Sequence, residues 1–285
     1  MEDRRNIWIE EYYTSEMCTH ICLRVKDYVY RAQSEFQTVD VVDTHDWGRV
    51  MFLDSVVMVC DKYEFIYHEM ISHPLLFSHP SPKRILIIGG GDGGAAREAL
   101  KHPGVTVDMV EIDGMVVDVA RKYFPGCACS FDNPRLNLVI GDGVEFVKGK
   151  KDEYDIIVVD STDPIGPAVG LFEEDFYRCI NAALKPEGFF AFQSESPYYY
   201  SDFQKQVIGK LRKIFPLVKP YTATIPMYPG SFWTFTVGSR KFDPFEIRRR
   251  MPLADFSLKY YNYEIHEAAF ALPEFAKKIF CQEGA

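Results

Sequence analysis

From residue 7 to residue 60, apolar and polar positions alternate in short runs broken by turn-forming residues: WIEEYY, HICLRV, YVYRAQSEF, TVDVVDT, RVMFLD and VVMVC. A period of two predicts a set of β-hairpins. At Lys62 the period changes, and Tyr63, Ile66, Tyr67, Met70 and Ile71 recur at helical spacing as far as Pro74. A helix is therefore expected to lead out of the β-rich region. Beyond Pro82 short β-rich runs take turns with helical stretches: RILII then 94–102, VTVDMVEI then 114–123, LNLVI then 144–148, DIIVVD then 172–184, and FFAFQ then 199–214. Such alternation predicts a parallel sheet with helices on both faces. The final two runs, LVKPYTAT from Leu217 and FWTFTVG from Phe232, follow one another with no helix between them.

A doubly wound, Rossmann-like sheet ending in a reversed hairpin is the pattern of class I methyltransferase-like folds and departs from that of a nicotinamide dehydrogenase. The expected organisation is a small N-terminal β-hairpin domain over residues 1–61 and a Rossmann-like catalytic domain over 62–285. A chain of 285 residues with 47% apolar and 15% aromatic residues can build such a core. No apolar run approaches the ~20 residues of a membrane span, and the opening MEDRRNIWIEEYY is charged where a secretory signal needs an apolar stretch. A cytoplasmic protein is expected. The seven cysteines, an odd and scattered set, suit a reducing compartment. Cys127 and Cys129 lack a second Cys/His pair at zinc-site spacing and read as loop thiols. A net charge of −9 argues against a nucleic-acid partner and suits a cationic substrate.

In open α/β sheets ligands bind beyond the carboxyl ends of the strands, and acids stand at four successive strand ends here: Asp92, Glu111, Asp142, and Asp160 with Asp163. Each alone could simply cap the helix that follows. Together they converge on one crevice. The glycine-rich loop GGGDGG, from Gly89, precedes Glu111 by about 20 residues, the spacing of an acid that accepts both ribose hydroxyls. Asp142, in Gly-Asp-Gly with Gly143, is placed to accept from an adenine amino group. Asp92 is the unusual member, because an acid at a helix N-terminus repels the pyrophosphate of a dinucleotide and the carboxylate of S-adenosylmethionine. The ligand's tail should be cationic, which decarboxylated S-adenosylmethionine satisfies. Paired carboxylates in DSTDP, Asp160 and Asp163, suit a diamine that must lose a proton before it attacks carbon, with Asp160 as acceptor and Asp163 as counter-ion. Tyr67, His68 and Tyr228 could face the same crevice, although aromatic residues at helical spacing are also ordinary core. His45, His73, His79, His102 and His266 read as surface or packing residues.

With these residues in place the chain resembles the polyamine aminopropyltransferases. EFQTVDV, LDSVVMV, YEFIYHEMISHPLL, ILIIGGGDGGAARE, VEID, GDG, YDIIVVDSTDPIGPA, LFEEDFY and MYPGSFWTF occur in that family's order over nearly the whole length. The resemblance implies that putrescine attacks the aminopropyl carbon of decarboxylated S-adenosylmethionine, giving spermidine and methylthioadenosine. It places Gln37, Gly89, Glu111, Asp142, Gly143 and Pro167 around the nucleoside. It places His68, Asp92, Asp160 and Asp163 around the amine and aminopropyl arm, with Tyr67 and Tyr228 assisting Asp160. The segment from Ser161 to Leu171 would close over the substrates, no metal or redox cofactor would be needed, and the N-terminal region would support a homodimer or homotetramer. Rival readings are a putrescine N-methyltransferase, which Asp92 disfavours, and a sibling transferase acting on spermidine, agmatine or cadaverine. A catalytically silent scaffold on this fold and a dehydrogenase complete the alternatives.

Overall fold

The computed structural model describes residues 7–11, 21–162 and 166–280, the side chain of Pro167 excepted. Five strands, β1 (Trp8–Glu10), β2 (Cys22–Gln33), β3 (Thr38–Thr44), β4 (Arg49–Leu53) and β5 (Val56–Cys60), form an antiparallel sheet in sequential order. HICLRV and YVYRAQSEF, expected as separate strands, are joined in β2. Its pairing with β3 slips between Val25 and Asp27 and again between Tyr28 and Tyr30, so bulges absorb the break in alternation. The sheet is buried on two sides. Val39, Val41, Met51 and Val59 pack against Val116, Val119 and Phe124, while Val42, Val50 and Phe52 join the core beneath the first helix. This packing holds the N-terminal sheet against the larger domain and brings its residues to the crevice.

The first helix, α1 (Glu64–Ser78), runs straight past Pro74, where the sequence pattern had it end. Proline supplies no N–H to the carbonyl four residues back, which is that of Met70. The Tyr221 hydroxyl donates to that carbonyl instead, at 2.8 Å, and both groups are buried. Tyr221→Phe is expected to cost about 1–3 kcal/mol, the penalty of an unpaired buried carbonyl. Denaturant titration should show a smaller loss in a Pro74→Ala background, where a restored N–H takes the carbonyl; equal losses in both backgrounds would rule out this compensation.

The larger sheet runs β11-β12-β10-β9-β6-β7-β8, built from β6 (Arg84–Gly89), β7 (Thr106–Glu111), β8 (Leu136–Ile140), β9 (Tyr154–Asp160), β10 (Leu184–Gln193), β11 (Leu217–Thr224) and β12 (Phe232–Ser239). Only β12 runs antiparallel to its neighbours, inserted between β10 and β11 as the reversed hairpin expected. The central strands read as continuous apolar runs because helices cover both faces: Ile85 to Ile88 and Ile156 to Val159 are all buried. Helices α2 (Gly94–Leu100), α3 (Gly114–Tyr123), α4 (Pro125–Ala128), α5 (Gly143–Val147), α6 (Glu174–Ala183) and α7 (Ser201–Arg212) connect the strands, and α8 (Tyr263–Ala269) and α9 (Glu274–Phe280) follow them. The C-terminal segment is pinned by buried Glu69 of α1, whose carboxylate accepts the N–H groups of Lys259, Tyr260 and Tyr261 at 2.7–2.9 Å. Strand β6 pairs with β7 on one side and β9 on the other. The chain leaves β6 toward β7 and β8 and returns to β9, so the winding reverses between β6 and β9, where such sheets open a ligand crevice.

Candidate active site

The crevice begins where Gly89 ends β6 opposite Asp160 of β9. Gly89 has φ +85°, and a Cβ there would lie 2.2 Å from the Asp160 carbonyl oxygen, so only glycine fits. Gly90 N–H donates to that same carbonyl at 2.7 Å. The loop then turns through Asp92, whose Oδ1 accepts from Gly94 N–H at 2.6 Å and sits 3.3 Å from His68 Nε2. Asp92 thus both shapes the start of α2 and lines the cleft.

Across the loop, Tyr67 of α1 donates its hydroxyl to Asp160 Oδ1 at 2.6 Å. Asp160 Oδ2 is buried and takes no hydrogen bond among the described residues. Burial first, and then the negative charge of Asp92, push the Asp160 carboxyl up to about 6, against the opposing pull of His68 and the Tyr67 hydroxyl. The Tyr228 ring stands edge-on to Tyr67 at 5.6 Å between centroids, and its hydroxyl donates to the Met58 carbonyl at 3.0 Å. Asp160, with one oxygen held by Tyr67 and the other unspent, therefore faces the cleft, and the Tyr228 ring braces Tyr67.

On the nucleoside side, Glu111 ends β7 with Oε1 accepting from Asp113 N–H at 2.8 Å. Burial pushes its carboxyl up to about 7, with Asp113 and Asp160 adding repulsion against the backbone hydrogen bonds. A Cβ on Gly91 would lie 2.9 Å from Glu111 Oε2, so the missing side chain there leaves the acid its place. Gln37 lines the cleft, and its amide donates to Asp113 Oδ2 at 3.0 Å. Asp142 caps α5, accepting from Val144 N–H at 2.7 Å, and also lines the cleft with Gly143. The cap and the ligand reading coexist in this residue.

Three expected site residues are placed differently or lie wholly or in part outside the described residues. His68 was read as an amine ligand, yet it is 2% exposed, stands behind Asp92 rather than in the cleft wall, and spends both ring nitrogens on Glu64 and Asp92. Burial disfavours its charge, but Asp92 and Glu64 outweigh that and raise it to about 10. Asp163 lies outside the described residues, as does the side chain of Pro167. Several cleft or supporting residues escaped the sequence reading. Asp113, which orients Gln37 and Ser34, could have been found as an acid opening α3. Glu11 reaches the cleft from β1's trailing end, where no spacing marks it, and Gln193 ends β10 at the same carboxyl edge of the sheet, passed over because it is an amide and not an acid.

Glu64, His68 and Cys127 bring ligand-type atoms within 4.8 Å of one another. Arg97 fills that neighbourhood, pairing with Glu64 at 2.8 Å and reaching Cys127 Sγ at 3.7 Å. A guanidinium and an imidazolium already balance the carboxylate, so the donor set suits a metal ion poorly. His73, His79, His102 and His266 are buried among aromatic rings, as packing residues. Among the described residues no helix is long and apolar enough to cross a membrane.

Fold and cleft together define a class I methyltransferase-like enzyme with acids at the ends of β6, β7, β8 and β9 around its crevice. Comparison with known proteins makes the assignment specific. The family model of the spermine/spermidine synthase domain matches residues 64–248, and that of the spermidine synthase tetramerisation domain matches residues 7–61. The polyamine aminopropyltransferase of Thermoanaerobacter sp. (strain X514) is 48% identical over 260 residues, covering 90% of this chain and 93% of that one. That of Methanocaldococcus jannaschii is 43% identical over 278 residues, covering 95% and 94%. A crystal structure of spermidine synthase with the transition-state analogue AdoDATO superposes with a TM-score of 0.92 at 41% identity, over 98% of this chain and 96% of that one. Spermidine synthase from Thermotoga maritima gives 0.90 at 39% identity, over 98% and 95%. The chain belongs to the spermidine synthase family of polyamine aminopropyltransferases, enzymes that transfer an aminopropyl group.

Proposed function

We propose that this aminopropyltransferase uses putrescine as acceptor and Asp160 as the group that takes the proton. The observation that carries the reading is the buried Asp160 Oδ2, which has no hydrogen-bond partner among the described residues while Tyr67 fixes the other oxygen. An attacking amine at that oxygen supplies the missing partner.

The adenosine of decarboxylated S-adenosylmethionine lies between Gln37, Glu111 and Asp142, and its aminopropyl ammonium rests against Asp92. The amine nitrogen lone pair attacks the aminopropyl carbon bonded to sulfur. That carbon–sulfur bond breaks, its electrons pass to sulfur, and methylthioadenosine leaves as a neutral thioether. The proton shed by the amine passes to Asp160. A carboxylate raised to about 6 is a better acceptor than an ordinary one, and the sulfonium nearby lowers the amine's own hold on the proton. Nucleophile and leaving group are both organic, so no step calls for a metal or redox cofactor. Holding amine, carbon and sulfur in line is the enzyme's largest contribution, a kind of positioning worth up to about 7–11 kcal/mol. Buried Glu11 in the cleft wall adds an acid suited to the diamine's second ammonium.

Residues 7–61 match the spermidine synthase tetramerisation domain, and Ile7, Trp8 and Tyr28 are exposed there, so homo-oligomerisation through this sheet is part of the proposal. Cytoplasmic placement is proposed with it. The acceptor is tested by steady-state rates with diamines of graded length, together with spermidine and agmatine. Putrescine should give the highest kcat/KM by at least about tenfold, because a missing or extra methylene in a fitted apolar pocket is worth 10–200-fold. A higher value for any other amine would overturn the assignment.

A further inference from the structure

We propose that Glu64 and Arg97 are positioning residues that act through His68 to hold Asp92 in the orientation that receives the aminopropyl ammonium. This rests on the reading of Asp92 given above.

Arg97 grips Glu64 with a two-pronged pair of hydrogen bonds, Nη1 to Oε1 at 3.0 Å and Nη2 to Oε2 at 2.8 Å. It is itself tied to Glu98 Oε1 at 2.7 Å and to the Gly126 carbonyl at 3.0 Å. A guanidinium fork of this kind fixes the plane of its carboxylate. Glu64 Oε2 then faces His68 Nδ1 at 2.6 Å, one helical turn along α1. Nδ1 meets the Glu64 carboxylate at hydrogen-bond distance and Asp92 Oδ1 stands 3.3 Å from Nε2. Two carboxylates facing the two ring nitrogens favour the imidazolium form of His68. The ring cannot swing aside, since it packs so closely on α2 that a Cβ on Gly94 would lie 2.3 Å from ring atoms. His68 Nε2 and Gly94 N–H both meet Asp92 at Oδ1. Oδ2 is left for the ligand. Glu64 thus reaches the substrate through two intervening side chains and Arg97 through three.

The groups facing His68 are Glu64 on its own helix, Asp92 in the β6–α2 loop, Arg97 on α2, Cys127 on α4, and the Tyr67–Asp160 pair beside it. Of these, Glu64 and Asp92 hold its second proton. Loss of the Glu64 charge is expected to release that proton into the ordinary histidine range and to let Asp92 turn. The imidazolium also opposes the repulsion between Asp92 and Asp160.

The test compares decarboxylated S-adenosylmethionine, which has the ammonium, with methylthioadenosine, which lacks it. In Glu64→Gln the KM for the former should rise about tenfold, the scale of a weakened charged hydrogen bond, while the Kd of the latter stays within about twofold. NMR should show His68 doubly protonated at about pH 8 in the wild type and neutral there in the variant. Equal weakening of both ligands, or an unchanged KM despite a deprotonated His68, overturns the proposal. Asp92→Asn is the control. If it fails to separate the two ligands, the placement of the aminopropyl arm is wrong; if it separates them and Glu64→Gln does not, the positioning role is wrong. Should Glu64→Gln fail to fold, Arg97→Lys, which keeps the charge without the fork, should raise the same KM by a smaller factor with methylthioadenosine unaffected, and an unchanged KM there overturns the proposal equally.

Discussion

Asp160→Asn is expected to lower kcat about 10³-fold, within the range that a positioned proton acceptor contributes, while methylthioadenosine binds within about twofold of wild type. Asparagine keeps the shape of the side chain and can still accept from the Tyr67 hydroxyl, which now approaches Oδ1 at 2.6 Å. What it cannot do is take a proton. Pre-steady-state kinetics distinguish this from a slow product release: a burst of methylthioadenosine followed by slow turnover would place the defect after chemistry and remove Asp160 from the proton-transfer step.

Asp92→Asn is expected to raise the KM for decarboxylated S-adenosylmethionine about 10²-fold, because truncating one partner of a largely desolvated charge pair costs about 2–5 kcal/mol. The Asp92 side chain is 13% exposed, so solvent screens it little. Methylthioadenosine has no ammonium and should lose little affinity, since Glu111, Gln37 and Asp142 remain. Isothermal titration of the variant with each ligand measures the difference, and a parallel loss for both would show that Asp92 shapes the loop without choosing the tail.

Much of this site was legible in the sequence for a particular reason. Parallel strands covered on both faces must be short apolar runs, so the residue after each run is at the sheet's carboxyl edge, and acids there stand out. Asp92, Glu111, Asp142 and Asp160 all line the cleft. The direction of neighbouring helical side chains was not legible. Tyr67 and His68 are adjacent on α1, about 100° apart around its axis, and a period cannot say which of the two reaches the cleft and which supports from behind. Only the packing of α2 against α1, with Gly94 under the imidazole ring, decides it. Glu11 stayed hidden because it arrives by long-range packing of one sheet against the other, whereas Gln193 stands at the carboxyl end of β10 and was passed over for carrying no charge. The merging of two expected strands into β2 had a local cause, a mostly exposed strand whose bulges hide the alternation. The helix through Pro74 had a distant one, a tyrosine in another strand.

Whether Asp160 takes the proton is tested most directly by the pH dependence of kcat/KM with both substrates well below saturation, which reports on the free enzyme. Burial and Asp92 push Asp160 up to about 6, and burial pushes Glu111 up to about 7, so acidification returns protons to both carboxylates and removes activity. His68, raised to about 10, keeps its charge across this range. Below about pH 6, where both acids titrate, the plot of log(kcat/KM) against pH should be less steep by one unit in Asp160→Asn than in the wild type, since only Glu111 still responds there. Identical slopes in the two proteins would mean that another group carries the proton.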